Sequence, residues 1–385
     1  MAFTRDRVTW IAYALLAWFA YLQAAPGLVV SHLRDEFHLS YSVGGLHVAA
    51  FAAGALFAGL SCGPIERAIG RRALFWLSAA VMGVAAIGLT AGRSAEATIG
   101  SLLLMGVAGG LLLVTIQALL SDHHGERRAI ALTEANVAAS VAYVVLIGAL
   151  SLTSAIGVGW RAALLASLVV PALAWWSGRR AAIETPPVAG ASGGRALPAA
   201  FWVAAAMLFC TTAAEWCIAA WGASFVEDAA DVSADASVTL MVGYFGGVVV
   251  GRIAGSALAR RHTPHRLLAI ALVITAFGFA ILWPAASSLQ ALVGLSLLGL
   301  GLGNLFPLGL SVTVALAPDR AQLASGRAVF MTSFAVLLAP LTVGALADAT
   351  SLTAALAVVP VALACAATGL TLVTRAQARV VASVD

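Results

Sequence analysis

Apolar residues in this chain come in unbroken stretches of about 20, the length of helix that crosses a bilayer's hydrocarbon core, and short polar breaks separate them. The stretches fall near 8–30, 41–62, 73–92, 97–120, 129–152, 160–177, 199–226, 237–258, 266–284, 288–316, 326–346 and 351–374. They predict an all-α membrane protein with twelve transmembrane helices. The long polar interval, 178–198, is rich in Pro and Gly and reads as a linker. It divides the chain into an N-terminal six-helix bundle over 1–177 and a C-terminal one over 199–385.

The pattern is also written twice. Arg128-Ala-Ile-Ala-Leu-Thr-Glu134, running on to Ala163-Leu-Leu-Ala-Ser-Leu-Val-Val-Pro171, returns as Arg327-Ala-Val-Phe-Met-Thr-Ser333, running on to Ala355-Leu-Ala-Val-Val-Pro360. Ser101 to Asp122 likewise echoes Ser296 to Asp319, with Gly106 set against Gly301. Such duplication implies two six-helix bundles related by pseudo-two-fold symmetry, with the working site at their seam near the bilayer midplane.

Composition identifies the solvent. The chain is 62% hydrophobic and only 10% charged, against roughly a quarter charged in soluble domains, and its mean hydropathy is +0.99. All 21 basic residues are Arg. With a cytoplasmic N-terminus, all of them except Arg34, Arg93, Arg161 and the intramembrane Arg252 lie at or near the inner surface, as the positive-inside rule requires. Both termini are then cytoplasmic and the protein sits in the inner (cytoplasmic) membrane. The net charge of +4 is an orientation signal and calls for no nucleic-acid partner. The first apolar run is too long for a signal-peptide core, and its removal would leave eleven spans. The four cysteines have no metal spacing and read as packing residues.

Other function classes fit poorly. There is no Lys and no phosphate-binding Gly-rich loop, which argues against ATP-driven pumping. Seven scattered histidines do not make a catalytic set, so no enzyme is expected. A receptor would need an output domain, and the chain ends about ten residues after its last span. The expectation is a monomer in the bilayer that handles a small molecule, with no cofactor beyond an ion gradient. Most of the 37 glycines lie inside apolar segments, where small residues let membrane helices approach closely. Gly247, Gly251 and Gly255 place such residues on one helix face. Pro26, Pro171, Pro307, Pro340 and Pro360 mark kinks.

The segment after the second span reads Gly63-Pro-Ile-Glu-Arg67-Ala-Ile-Gly70-Arg71-Arg72. It resembles the cytoplasmic loop signature of the major facilitator superfamily, and the resemblance extends over the whole chain. Gly63, Gly70, Arg71 and Arg72 fit. Arg67 takes the place of the signature Asp, and Glu66 stands one position early, so the loop's charge relay is either absent or carried by Glu66. Gly255 to Arg261, with His265-Arg266, looks like a degenerate second copy. Gly159-Trp160-Arg161 resembles the turn before the sixth span. Glu215 with Trp221, Gly251-Arg252 and Phe306-Pro307 look most like the fucose-permease branch. The resemblance implies the major facilitator fold and a secondary transporter working by alternating access. It is proton-coupled on the main reading, as symporter or antiporter; a drug or metabolite efflux antiporter and an uncoupled uniporter remain open.

Ionisable groups at bilayer depth cost roughly 2.5–3.5 kcal/mol each even on the lenient insertion scale, so each is a functional hypothesis. Three stand out: Glu134, Glu215 and Arg252. Counting about 1.5 Å per residue places Arg252 level with Glu134 and more than about 10 Å from Glu215 along the membrane normal. Since the fifth and eighth spans of the family fold face each other, an inter-half Glu134–Arg252 ion pair is expected to close the inner gate. Desolvation lets a carboxyl take up and release a proton in the physiological range, which makes Glu215 the first candidate for proton coupling and Glu134 the second. Tyr21, Gln23, Glu215, Trp216, Tyr244 and Asn304 are the candidate substrate contacts. His47 reads as packing, and His123-His124 as loop residues without a ligand partner.

Overall fold

Each polar break turns out to be a helix cap. The computed structural model describes residues 4–180, 183, 197–259, 261–317 and 320–382, and over these it is helical throughout its ordered elements. Most of the 178–198 linker, and Arg260 of the second loop copy, lie outside the described residues. The helices are α1 Arg7–Phe37, α2 Tyr41–Ile69, α3 Arg71–Ala91, α4 Ala95–His124, α5 Arg128–Ala155, α6 Trp160–Ala166, α7 Val169–Gly178, α8 Ala199–Ala230, α9 Ala234–Leu258, α10 Pro264–Leu282, α11 Ser288–Ala315, α12 Ala321–Ala349, α13 Leu352–Ala355 and α14 Val358–Ala382. Twelve spans among the described residues are long and apolar enough to cross a membrane. Two of them are broken: α6 with α7 makes the sixth, and α13 with α14 the twelfth.

The start signals are chemical. Asp6, Ser94, Ser233, Thr263, Ser287 and Ser351 each accept a backbone N–H from the first turn of the helix they precede, satisfying donors that have no intrahelical partner. α1 and α8 both stop at a residue in the left-handed region, His38 at φ 52° and Asp231 at φ 49°. The two broken spans share a cause. Pro171 and Pro360 each lie just inside the second half of their span, where the missing N–H and the ring clash interrupt the helical ladder. Pro26, Pro307 and Pro340, also expected to kink, lie within continuous helices.

The chain separates into two units, residues 1–39 with 46–190 and residues 40–45 with 191–385. The starts of their second, third and fourth spans repeat at one constant sequence spacing, and so do the contacts between the second and fourth. In the first unit, a methyl group on Gly54 would strike the Leu103 carbonyl, one on Gly106 the Phe51 carbonyl, and one on Gly110 would come within 3.0 Å of Ala55. In the second, Gly247 meets the Ser296 carbonyl, Gly299 the Tyr244 carbonyl, and Gly303 the Val248 carbonyl at 2.7 Å. Helices α2 and α4, and likewise α9 and α11, therefore touch backbone to backbone. This contact register sets Gly106 against Gly299, which corrects the expected match with Gly301. Gly301 packs on α10 instead, against Thr275 and Ala271.

Within the second unit, Trp221 is fully buried and its indole donates to the Pro340 carbonyl at 3.0 Å. The first turn of α2 belongs to this unit: the Asp348 carboxylate accepts the Tyr41 N–H at 2.7 Å and the Ser42 N–H at 2.8 Å, and the Tyr41 hydroxyl donates to Asp228 at 2.9 Å. Within the first unit, Arg161 donates to both Glu36 oxygens and to the Thr90 carbonyl, and its guanidinium lies over the Trp160 ring at 4.5 Å. The Gly159-Trp160-Arg161 turn thus anchors α6 to α1 and α3.

Candidate functional site

Glu215 sits midway along α8, sixteen positions after its start at Ala199, and is half-buried. Its neighbour Trp216 is half-buried as well, so part of each side chain meets open space rather than protein. The Tyr244 hydroxyl donates to the Glu215 backbone carbonyl at 3.4 Å. Tyr244 itself is buried at 2% exposure and supports this turn of α8. Among the described residues, Arg252 is the charge whose field reaches Glu215. Depth counted at Cα sets these two more than about 10 Å apart, and a long Arg stem can carry its charge well away from its own backbone. The Arg252 Nε points to the Gly303 carbonyl on α11, at 3.4 Å.

The constant spacing between units shows what is particular to the second. Glu215 stands where the first unit has Leu22, which is fully buried, and Arg252 stands where it has Gly59, which has open space around it. Trp216 stands where the first unit has Gln23, also half-buried. Gln23 accepts a hydrogen bond from the Tyr143 hydroxyl at 3.2 Å. Tyr143 escaped the sequence reading because nothing in the apolar run of α5 marks which face it occupies.

Glu134 is engaged within the first unit. Arg5 donates to it through Nε at 2.8 Å and Nη2 at 2.6 Å, and the Tyr13 hydroxyl donates at 3.1 Å. Its pairing was expected with Arg252, a residue of the other unit; the partner the structure provides is Arg5, a residue that precedes the first helix. Thr9 and Asp6 extend this cluster to the end of α4: the Thr9 hydroxyl meets His124 Nε2 at 2.9 Å and Asp6 meets His123 Nε2 at 2.8 Å. The hydrogen bonds from Glu134, and its attraction, hold the Arg5 guanidinium above its ordinary range. Asp6 loses solvent, which alone would raise it, but the Thr9 hydroxyl and N–H and the nearby His123 bring its carboxyl below the ordinary value.

Two other expected solute contacts are engaged within the protein. Tyr21 is buried at 7% exposure and its hydroxyl donates to the Ala163 carbonyl at 2.9 Å. Asn304 donates from Nδ2 to the Gly251 carbonyl at 2.6 Å, bridging α11 to α9 at their closest approach. His47, fully buried, meets the Thr98 hydroxyl at 2.9 Å.

The loop signature takes an unexpected form. Helix α2 runs through Gly63 and Pro64 to Ile69, so the loop is a single residue, Gly70, at φ 82°, a conformation open to glycine and strained for other residues. Arg71, buried at 5% exposure, donates to Glu66 at 2.7 Å and to Asp122 at 2.6 Å. Glu66 thus takes part in a charge cluster from its early position, while Arg67 and Arg72 point outward and are exposed.

The family model of the Major Facilitator Superfamily matches residues 9–261 and again 204–384. The chain belongs to the Major Facilitator Superfamily. It is a multi-pass membrane protein and a secondary transporter. In fold it is similar to a bacterial homolog of the human lysosomal transporter Spinster solved inward-facing and occupied, at 14% identity, TM-score 0.78, with 97% of this chain and 98% of that one covered. It is similar to a D-xylose-proton symporter at 13% identity, TM-score 0.77 and 96% of each chain. A nucleoside transporter matches at 11% identity, TM-score 0.74, with 96% of this chain and 98% of that one covered. No curated protein is significantly similar to the chain.

Proposed function

We propose that this superfamily member moves a small organic solute across the inner membrane by alternating access, with transport coupled to protons through Glu215 and with Trp216 as a solute contact beside it. The observation that carries this reading is the placement of Glu215. A half-buried carboxyl midway along a spanning helix costs roughly 2.5–3.5 kcal/mol relative to an apolar residue, and the equivalent position in the first unit is the fully buried Leu22. A charge that the scaffold does not require is explained by use. Arg252, equally without a counterpart, tunes that carboxyl by its field. The single deep cation favours a neutral, weakly acidic or amphipathic solute over a dianion. The distribution of Arg supports cytoplasmic termini.

The test is a thermal-shift screen of the purified full chain against a broad solute library at two pH values, followed by flux in proteoliposomes for any hit. Proton-coupled uptake predicts solute stabilisation that changes with pH and accumulation driven by an inside-alkaline gradient. Flux that proceeds equally with and without a pH gradient would replace the reading by uniport, and flux against the gradient's direction by efflux antiport.

A further inference from the structure

Where α3 begins, a cleft of about 470 Å³ is walled by Ile69, Gly70, Arg72, Ala73, Trp76 and Trp175. Its polar groups are donors. The exposed Arg72 guanidinium gives one bond to the Arg179 carbonyl and has further N–H groups to offer. The nearby acids, Glu66 and Asp122, are both bound by Arg71, so neither of them is paired with Arg72. Its outer wall is aromatic: Trp76 and Trp175 meet edge to face at 5.1 Å. Trp175 is 49% exposed and its neighbour Trp176 is 74% exposed, beneath the Arg179 guanidinium at 5.2 Å. Exposed tryptophans beside arginines at the end of two spans mark the headgroup level of a bilayer.

The occupant must therefore bring an anionic acceptor to the donors and an apolar body to the tryptophans. We propose that this cleft binds an anionic phospholipid. Its phosphate oxygens accept from Arg72, and its acyl chains lie along Trp175 and Trp176. A free phosphate ester satisfies the donors and leaves the two exposed rings uncovered. Basic clefts between spans at the membrane surface suit such headgroups.

Native mass spectrometry of the full-length protein in detergent, with equal dioleoylphosphatidylglycerol and dioleoylphosphatidylcholine, tests this. The protein is expected to retain phosphatidylglycerol in preference to phosphatidylcholine. Arg72→Gln should weaken that retention about fivefold, as about 1 kcal/mol per basic residue at a membrane surface implies. Trp175→Ala, which removes the exposed ring from the cleft wall, should weaken it as well, with thermal unfolding confirming that both variants are folded. Arg93→Gln, an exposed arginine at the opposite end of α3, should leave retention unchanged. Equal retention of the two lipids, or phosphatidylglycerol retention unaltered in either Arg72→Gln or Trp175→Ala, would overturn the proposal. Displacement of the lipid by millimolar glycerol phosphate would overturn it too, in favour of a soluble phosphate site.

Discussion

Arg5 holds Glu134 at both carboxylate oxygens, Nε to Oε2 at 2.8 Å and Nη2 to Oε1 at 2.6 Å, from a position outside the first helix. The fork geometry is specific to Arg. The side chains are 46% and 29% exposed, so salt should screen the pair. Arg5→Gln and Glu134→Gln are each expected to lower the unfolding temperature at low salt, with the double variant no worse than the more damaging single one. Unfolding curves at two salt concentrations check this. Additive losses would mean that the two residues act independently.

Acid should loosen the same cluster through Asp6. Its carboxyl titrates below the ordinary value in the folded protein, so its contribution is complete above about pH 4, the ordinary Asp value, and disappears as pH falls through the lower folded value. The unfolding temperature should therefore drop on acidification below about pH 4, and Asp6→Asn should flatten part of that drop. An unchanged profile in the variant would remove Asp6 from the account.

The glycine contacts make opposite predictions at two sites. A methyl group on Gly106 would run into the Phe51 backbone, whereas one on Gly59 meets nothing within 4 Å. Gly106→Ala should cost about 1–3 kcal/mol as an overpacked contact. Gly59→Ala should be neutral or stabilise by up to about 0.5–1 kcal/mol through reduced chain entropy. Thermal unfolding of the two variants side by side decides it; equal effects would contradict the backbone contact between α2 and α4.

Asn304 separates a helix bridge from a solute contact. Its bond to the Gly251 carbonyl should be worth about 0.6 kcal/mol, the average for polar bridges between membrane helices. Asn304→Ala should thus lower the unfolding temperature slightly and leave solute affinity as it was. A large loss of affinity with normal stability would return Asn304 to the solute site.

The positions of the spans were legible because lipid admits few polar groups, so every polar break is a boundary. Rotation about each helix was not. A span such as α1 is apolar on all sides, and nothing in its sequence says that Tyr21 turns inward to the Ala163 carbonyl while Gln23 stays half-buried. The repeat register slipped for a related reason: Gly299, Gly301 and Gly303 alternate with Leu, so a shift of two residues looks as good as the true match. Pro64 and the charges after it suggested a loop, yet the helix continues to Ile69 because the turn needs only Gly70. Arg5 was read as an orientation charge, and its partner Glu134 could not be guessed from a position outside every span. The charges that differ between the two halves, Glu215 and Arg252, were legible as outliers.

Glu215 is the residue on which the functional reading depends, and proteoliposomes carrying a pH-sensitive dye in the lumen, given a solute identified by the thermal-shift screen, test it most directly. The native protein is expected to change the lumenal pH when solute is added, and Glu215→Gln to exchange solute across the membrane while producing no pH change. Full solute-driven pH change in Glu215→Gln would contradict the assignment of proton coupling to this carboxyl.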